Sequence, residues 1–482
     1  MTPMPNTIRH DFRFVISSAV ASAVLAVLFA VLLPAPARAA QEARLLRVSA
    51  DGKRLEYADG APFFWLGDTA WQLFHRLDRE EAEYYLATRA RQGFTVIQAV
   101  ALAELGGLTT PNANGDLPLV DQDPARPNEA YFRHIDDIVA IAARHGLFIG
   151  MLPAWGSYWK SAGRNTPPVF NPENARQYGR FLGRRYRDAP VIWILGGDQN
   201  IETPQERGVI DAMAAGLREG DGGTHLITFH PRGPGQSSRY VHTAGWLDFN
   251  MFQSSHGSRD HDNGLFAERD YALQPPKPTV DGEPRYEGIV VGFYFGTSSP
   301  AVRFDDYDAR QAAYWSVLAG ACGHTYGHNS VWQMWQPGRK PVIGANIPWR
   351  EALDNPGAFQ MGHLRRLFES RPFARLEPYQ RMIAGGPATG GAKIRCARAR
   401  DGSFAFIYSP RGEPFTADLT AIDAPRVKQI WFDPRYGTAY PIHTGDNHGF
   451  QTFTPPTSGR GCDWILILED AAAEFPLPDA PR

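Results

Sequence analysis

The chain has 482 residues, 12 tryptophans, 18 tyrosines, three cysteines and a formal net charge of −2. Its length exceeds one ordinary domain and suits a barrel of roughly 250 to 350 residues with a smaller partner domain. The near-neutral charge excludes the basic surface that nucleic-acid binding needs, and three cysteines are too few for a disulfide scaffold.

Residues 1–39 have the features of a bacterial signal peptide. A basic segment with Arg9 and Arg13 precedes an apolar run at 14–33, and a small-residue cleavage box, Ala-Arg-Ala, ends at Ala39. The alternative is an uncleaved anchor, because the apolar run is about as long as a membrane-spanning helix. We expect cleavage, export to the periplasm or beyond, and no stable membrane insertion afterwards.

Residues 40–371 alternate short hydrophobic runs with helical segments. The first run is preceded by a predicted hairpin at 46–57, which we expect at the bottom of a barrel. The runs that predict strands are Phe63–Asp68, Phe94–Gln98, Leu147–Leu152, Val191–Leu195, His225–Phe229, Leu247–Gln253, Lys277–Asp281 and Gly323–His328. Asp78 and Asn171 are typical caps of the intervening helices. Eight strands alternating with helices predict an α/β fold, a (β/α)8 TIM barrel.

An insertion at 104–128, rich in glycine, proline and asparagine, follows the second predicted strand. Barrel enzymes elaborate their active-site loops in such places. At residues 372–482 the pattern changes to short strands, at 394–399, 404–408, 427–432 and 464–468, separated by turn residues. This pattern predicts a C-terminal all-β sandwich domain.

The three cysteines divide between the two predicted domains. Cys396 and Cys462 both belong to the C-terminal domain, and we hypothesise that they pair in an oxidising compartment. Cys322 lies in a segment that looks buried, which is typical of an inert thiol.

Two carboxylates follow predicted strands. Asp198 comes after the apolar run 191–195 and two glycines, and Glu283 follows the seventh predicted strand. Pro284 restricts Glu283 to extended geometry, which projects it from the strand end. Because the carboxyl ends of barrel strands carry the active site, both residues are candidate catalytic groups.

Each carboxylate has an alternative role. Asp198 could cap the next helix, although Asn200, Thr203 and Pro204 can do so instead. Glu283 could form a salt bridge with Arg285, and Glu287 competes with it as the catalytic residue. Position at the strand end favours Asp198 and Glu283.

Two carboxylates facing one cleft are the minimum equipment for hydrolysing a glycosidic bond. A retaining glycosidase needs an ionised nucleophile and a protonated acid about 5 to 5.5 Å apart. In such barrels the strand-four carboxylate is usually the acid/base and the strand-seven carboxylate the nucleophile. We therefore assign Asp198 as acid/base and Glu283 as nucleophile.

Other strand-end residues offer hydrogen bonds or stacking planes to a sugar. These candidate substrate-binding residues are Asp68, Trp71, Gln98, Trp155, His230, Gln253, His256, Arg285, His324 and His328. His324 and His328 are not accompanied by the glutamate that a zinc-protease helix carries between its two histidines, so no metal is implied. No cofactor is expected, and the expected partner is an oligo- or polysaccharide substrate.

The motifs Phe63-Phe-Trp-Leu-Gly-Asp-Thr-Ala-Trp71, Trp193-Ile-Leu-Gly-Gly-Asp198, Asp281-Gly-Glu-Pro-Arg-Tyr-Glu287 and Gly323-His-Thr-Tyr-Gly-His328 resemble the apiosidase-like catalytic domain of glycoside hydrolase family 140. The resemblance covers residues 44–371. It implies exo-hydrolysis of terminal apiose, or a related pentose, from the pectin rhamnogalacturonan II. The family's catalytic Asp and Glu match Asp198 and Glu283.

The C-terminal segment resembles the collagen-binding-type β-domain that accompanies this family. Because this domain is fused to a pectin-degrading barrel, we expect it to support the barrel or to carry a glycan site. Two alternatives to an enzyme remain. One is a non-catalytic carbohydrate- or matrix-binding exported protein, and the other is a structural exported protein without a dominant acidic pocket.

Overall fold

The computed structural model describes residues 45–161, 163 and 168–479. The predicted signal peptide at 1–39 lies outside these residues. Within the described ranges, we find no helix of the length and apolar character needed to cross a membrane.

Strands and helices alternate through the first three quarters of the chain, and strands predominate in the last quarter. The strands are β1 (Leu46–Val48), β2 (Leu55–Tyr57), β3 (Pro62–Phe63), β4 (Trp65–Thr69), β5 (Val96–Leu102), β6 (Phe148–Ala154), β7 (Val191–Leu195), β8 (Ile227–Phe229), β9 (Gly235–Gln236), β10 (Asn250–Gln253), β11 (Thr279–Asp281), β12 (Gly323–Tyr326), β13 (Leu376–Pro378), β14 (Ile383–Gly385), β15 (Arg395–Ala399), β16 (Phe404–Ser409), β17 (Phe415–Asp418), β18 (Arg426–Asp433), β19 (Thr438–Asp446), β20 (Phe450–Phe453) and β21 (Trp464–Asp470). The helices are α1 (Leu73–Arg76), α2 (Arg79–Arg91), α3 (Glu129–Arg144), α4 (Pro172–Arg185), α5 (Pro204–Asp221), α6 (Ser238–Val241), α7 (Gly264–Tyr271), α8 (Asp306–Leu318), α9 (Asn329–Trp332), α10 (Trp349–Ala352) and α11 (Pro356–Glu369).

The parallel strands close into a ring. The sheet order β8-β7-β6-β5-β4-β12-β11-β10-β9 places the first and last barrel strands, β4 and β12, side by side. Between β8 and β10 the ring is joined by the Asp248 N–H, which donates to the Ile227 carbonyl at 2.9 Å, and by the Thr228 hydroxyl, which donates to the Phe249 carbonyl at 2.7 Å. Each of the eight predicted strands has its counterpart, and the predicted (β/α)8 barrel is confirmed.

Alternate residues of each barrel strand belong to two different hydrophobic clusters. Trp65, Val96 and Ile192 pack inside the barrel, whereas their neighbours Leu66 and Ile97 pack outward among the helices. Both faces are apolar because helices cover a parallel sheet from outside while side chains fill its interior.

The N-terminal strands β1, β2 and β3 form a small antiparallel sheet. Leu46, Leu55 and Phe63 join the inner cluster at Phe148, the first residue of β6, with the rings of Phe63 and Phe148 5.4 Å apart. The sheet therefore seals the end of the barrel at which the strands begin, as we expected for the hairpin.

The C-terminal strands form two antiparallel sheets, β13-β15-β16-β21-β18-β19 and β14-β17-β20, so the all-β sandwich prediction is also confirmed. Helix α8 of the barrel packs against the larger sheet. The rings of Tyr314 and Tyr408 stack 4.9 Å apart, and buried Arg310 pairs with buried Asp463 at 2.8 Å.

The hypothesised disulfide is not formed, and all three cysteines are free. Cys396 lies opposite Ile407, which lies opposite Leu466, so Cys462 comes four residues before the position that is level with Cys396. That offset corresponds to roughly 13 Å of extended chain, well beyond the reach of a disulfide.

Candidate active site

Asp198 lies just beyond β7, in a tight turn where a side chain on the preceding glycine would clash with neighbouring backbone. A Cβ on Gly196 would lie 2.2 Å from the His230 carbonyl, and the Gly196 carbonyl accepts a 2.6 Å hydrogen bond from the Trp159 indole. Asp198 itself has a φ of 59°, the left-handed region that non-glycine residues rarely adopt. Helix α5 is capped by Thr203, which leaves Asp198 free of that structural role.

Glu283 follows β11 and is buried, with 7% of its surface exposed. Three hydrogen bonds fix its backbone. The Gly282 N–H donates to the Phe252 carbonyl at 2.8 Å, and the Ser255 N–H donates to the Glu283 carbonyl at 3.2 Å. The Gln98 side chain reaches across the barrel and donates to the Gly282 carbonyl at 2.9 Å.

Two imidazoles contact the two oxygens of Glu283. His256 Nε2 lies 3.0 Å from Oε1, and His230 Nε2 lies 3.2 Å from Oε2. His230 Nδ1 accepts the Asp198 N–H at 3.3 Å. One imidazole ring therefore touches Glu283 with one nitrogen and the backbone of Asp198 with the other, which draws the ends of β7, β8 and β11 together.

The pKa values of the two carboxyls are shifted in opposite directions. Burial, followed by the negative charge of Glu283, raises the pKa of Asp198 to about 7. Burial also opposes ionisation of Glu283, but hydrogen bonds from His230 and His256 outweigh it and hold the pKa of Glu283 well below its usual range. At neutral pH the site thus contains one ionised carboxylate and one carboxyl that still holds a proton much of the time.

Six of the predicted sugar contacts gather around this pair. Trp71 packs against Trp155 and His230, with ring centroids 5.6 and 5.5 Å apart. In the part of the chain that the structure describes, buried polar atoms of Gln98, Gln253 and His256 beside the carboxylates lack a hydrogen-bond partner. Buried polar atoms are normally paired, so these atoms are suited to receive the hydroxyls of a substrate.

Asp68 lies elsewhere. Its carboxylate accepts hydrogen bonds from Tyr85 at 2.5 Å and from Arg89 at 2.6 Å, and both partners belong to α2. Its neighbours Gly67 and Thr69 face the barrel interior, so the alternation of the strand turns Asp68 outward into the helix layer. This residue joins β4 to α2.

Arg285, His324 and His328 also lie away from the pair. Arg285 donates to Gln311 of α8 at 3.0 Å. His324 faces outward beside Asp281, and His328 caps α9 by accepting the Ser330 N–H at 3.0 Å. Burial lowers the pKa of both histidines to about 3, so they are neutral.

Glu287, the competing candidate for nucleophile, has a structural role. It accepts hydrogen bonds from the Tyr326 hydroxyl at 2.7 Å and from the Gly357 N–H at 3.1 Å, at the start of α11. These contacts tie the chain after β11 to the last barrel strand and to the last barrel helix.

Two residues of the site were not anticipated from the sequence. Burial and then the charges of Asp198 and Glu283 raise the pKa of Glu104 to about 8, so this third carboxyl interacts electrostatically with the pair. Tyr286 packs on His256 at 4.7 Å and donates to the Thr69 hydroxyl at 3.0 Å. Glu104 is the first acidic residue after β5, and an acidic residue at a strand end is the signal that could have identified it. It was overlooked because it is also the first residue of the insertion at 104–128.

Among the described residues, no group of three or more His, Cys, Asp or Glu side chains is arranged to hold a metal ion. The arrangement instead supplies what acid and nucleophile chemistry requires: an anchored carboxylate, a protonated partner, and unpaired polar groups around them.

A comparison with protein families matches residues 49–375 to the model described as "Apiosidase-like, catalytic domain". Residues 378–469 match a second model, named for the collagen-binding domain of a collagenase. A comparison with curated proteins finds no match.

Solved structures are similar over almost the whole chain. One, named "Glycoside hydrolase", is 36% identical, with 89% of this chain and 97% of that chain covered and a TM-score of 0.81. Another, a glycoside hydrolase family 5 protein from Bacteroides vulgatus, is 33% identical, with 90% and 96% covered and a TM-score of 0.82.

Proposed function

Because the chain belongs to the family of apiosidase-like catalytic domains and is a glycoside hydrolase, we propose that it removes a terminal apiose or related pentose from a pectin-type polysaccharide. The proposal names Asp198 as acid/base and Glu283 as nucleophile. The exo mode and the pentose follow from the family resemblance, while the two roles follow from the site.

The observation that carries the two roles is the opposite direction of the two pKa shifts. An attacking carboxylate must be ionised, and Glu283 meets this condition because His230 and His256 stabilise its negative charge. A general acid must hold its proton near the working pH, and Asp198 meets this condition because burial and Glu283 disfavour its ionisation.

A retaining mechanism is supported by how closely the two groups are held. The Asp198 N–H and the Glu283 carboxylate contact the same His230 ring, and the charge of Glu283 adds to burial in raising the pKa of Asp198. Inverting enzymes keep their carboxyls further apart to admit a water molecule between them and the sugar. In the proposed sequence Glu283 attacks the anomeric carbon while Asp198 protonates the departing oxygen. Water then displaces Glu283 from the sugar and gives its proton to Asp198, which restores both carboxyls.

The location of this reaction is also a proposal. Pectin lies outside bacterial cells, and the N-terminal sequence predicts export, so we place the enzyme in the periplasm or outside the cell.

The test is sugar release from rhamnogalacturonan II and from arabinan, with analysis of the released monosaccharides and of their anomeric configuration by NMR. We expect apiose as the only monosaccharide released from rhamnogalacturonan II, initially in the configuration of the substrate. Glu283→Gln should abolish release, whereas Glu287→Gln serves as the control for a glutamate outside the pair and should retain turnover once folded. Release of internal fragments would contradict exo action, and inversion would contradict the role of Glu283.

A further inference from the structure

The loop after β11 places three consecutive aromatic residues next to the carboxylate pair. Residues Phe293–Phe295 form one turn of 3₁₀ helix, and Tyr294 and Phe295 are 46% and 62% exposed. Aromatic rings of this size that stay in water do not gain a large part of the free energy that burial would provide. Exposed apolar clusters beside a cleft are typical of binding surfaces.

The turn is held in place by the active site itself. The Gly292 N–H donates to the His256 carbonyl at 2.8 Å, and the Tyr294 and Ser255 hydroxyls share a hydrogen bond of 2.9 Å. Gly292 has a φ of 61°, and a Cβ there would lie 2.8 Å from the Phe295 ring. The aromatic turn is therefore a fixed feature, with its rings presented at a set position.

A continuous series of contacts leads from the nucleophile to these rings. His256 lies 3.0 Å from Glu283 and 6.0 Å, between ring centroids, from Phe293. Phe293 and Tyr294 are 4.9 Å apart, and Tyr294 and Phe295 are 4.6 Å apart. Exposure increases along this series, from buried His256 to Phe295, so the rings extend from the catalytic carboxylate outward into solvent.

We propose that Tyr294 and Phe295 form a stacking platform for the sugar rings of the polysaccharide to which the cleaved residue is attached. This inference depends on the proposed function, because an exo-acting enzyme encloses one terminal sugar and leaves the rest of the polymer at the edge of its site. A pyranose ring presents a face of C–H groups that packs on an aromatic face. The ligand class is therefore a pyranose chain on the leaving-group side of the scissile bond.

The experiment compares a substrate that reaches the platform with one that does not. The long substrate is an apiose-bearing oligosaccharide from rhamnogalacturonan II, and the short one is methyl apioside, whose leaving group carries no ring. Phe295→Ala should lower kcat/KM for the oligosaccharide roughly tenfold, mainly through KM, and leave methyl apioside unchanged.

Phe450→Ala is the matched control, since Phe450 is 69% exposed but belongs to the C-terminal domain. It should leave both substrates unaffected. Equal effects of Phe295→Ala on both substrates, or on neither, would overturn the platform while leaving the proposed function intact.

If wild-type protein cleaves neither substrate, the proposed function fails and calorimetry decides the platform separately. The oligosaccharide is then titrated into Glu283→Gln with and without Phe295→Ala. Weaker binding in the double variant supports the platform, and equal or absent binding refutes it.

Discussion

Raising the pH from 5 to 8 tests the role of Asp198 directly, because it removes the proton that the proposed acid must donate. The pKa of Asp198 is raised from 3.8 to about 7, first by burial and then by the charge of Glu283. This shift corresponds to about 4 kcal/mol in favour of the protonated form. The active form is therefore fully present well below pH 7 and is lost as the pH rises through about 7. Glu283, with its lowered pKa, stays ionised throughout.

The expected result is a fall in kcat/KM of about tenfold per pH unit above the pKa of Asp198, since kcat/KM reports the free enzyme. The assay uses two apiosides, one with methanol as a poor leaving group and one with 2,4-dinitrophenolate as a good one. Only the methyl glycoside needs protonation by Asp198. Asp198→Asn should thus lower kcat/KM for the methyl glycoside by about 10² to 10⁴ and leave the activated glycoside nearly unchanged.

Asp137→Asn, an exposed aspartate on α3, is the control for the chemical change itself and should match wild type. A methyl-glycoside profile without a break near pH 7, or an equal loss on both glycosides in Asp198→Asn, would refute the assignment of Asp198 as the acid.

Three further predictions concern a buried ion pair, a hydrogen bond across the barrel and the cysteines. Asp68→Ala leaves the Arg89 guanidinium buried and unpaired, so the free energy of unfolding should fall by about 3 to 5 kcal/mol in chemical denaturation; an unchanged midpoint would contradict the role of this ion pair. Gln98→Leu removes the hydrogen bond to the Gly282 carbonyl and should lower kcat by about tenfold or more with the thermal midpoint little changed, because Glu283 loses its fixed position; wild-type kcat would show that this bond is dispensable. Thiol titration of the denatured, unreduced protein should count three free cysteines, and a count of one would show that a disulfide is formed after all.

The elements of the barrel were predictable because most strands are short apolar runs and several of the longer helices have a recognisable cap. Val191–Leu195 was predicted with its observed ends, and Asp78 and Asn171 do cap the helices α2 and α4. Asp198 and Glu283 were also accessible, since each is a carboxylate just beyond such a run.

The direction of side chains was not predictable in the same way. Parallel strands are apolar on both faces, so the sequence lacks the alternation that would tell the interior from the helix layer. Asp68, Arg285 and His324 were therefore grouped with Gln98 and His230, although the first three face outward. The electrostatic interaction of Glu104 with the carboxylate pair is likewise marked by no local sequence pattern.

The sequence alone determined the order of strands and helices, the two candidate carboxylates and the family resemblance, because these properties reside in local runs, caps and motifs. Only the tertiary structure decided that His230 contacts both Asp198 and Glu283, that the two carboxyls have opposite pKa shifts, and that an aromatic turn lies beside them. Those properties depend on burial and on distances between residues far apart in the chain, which exist only once the barrel has closed.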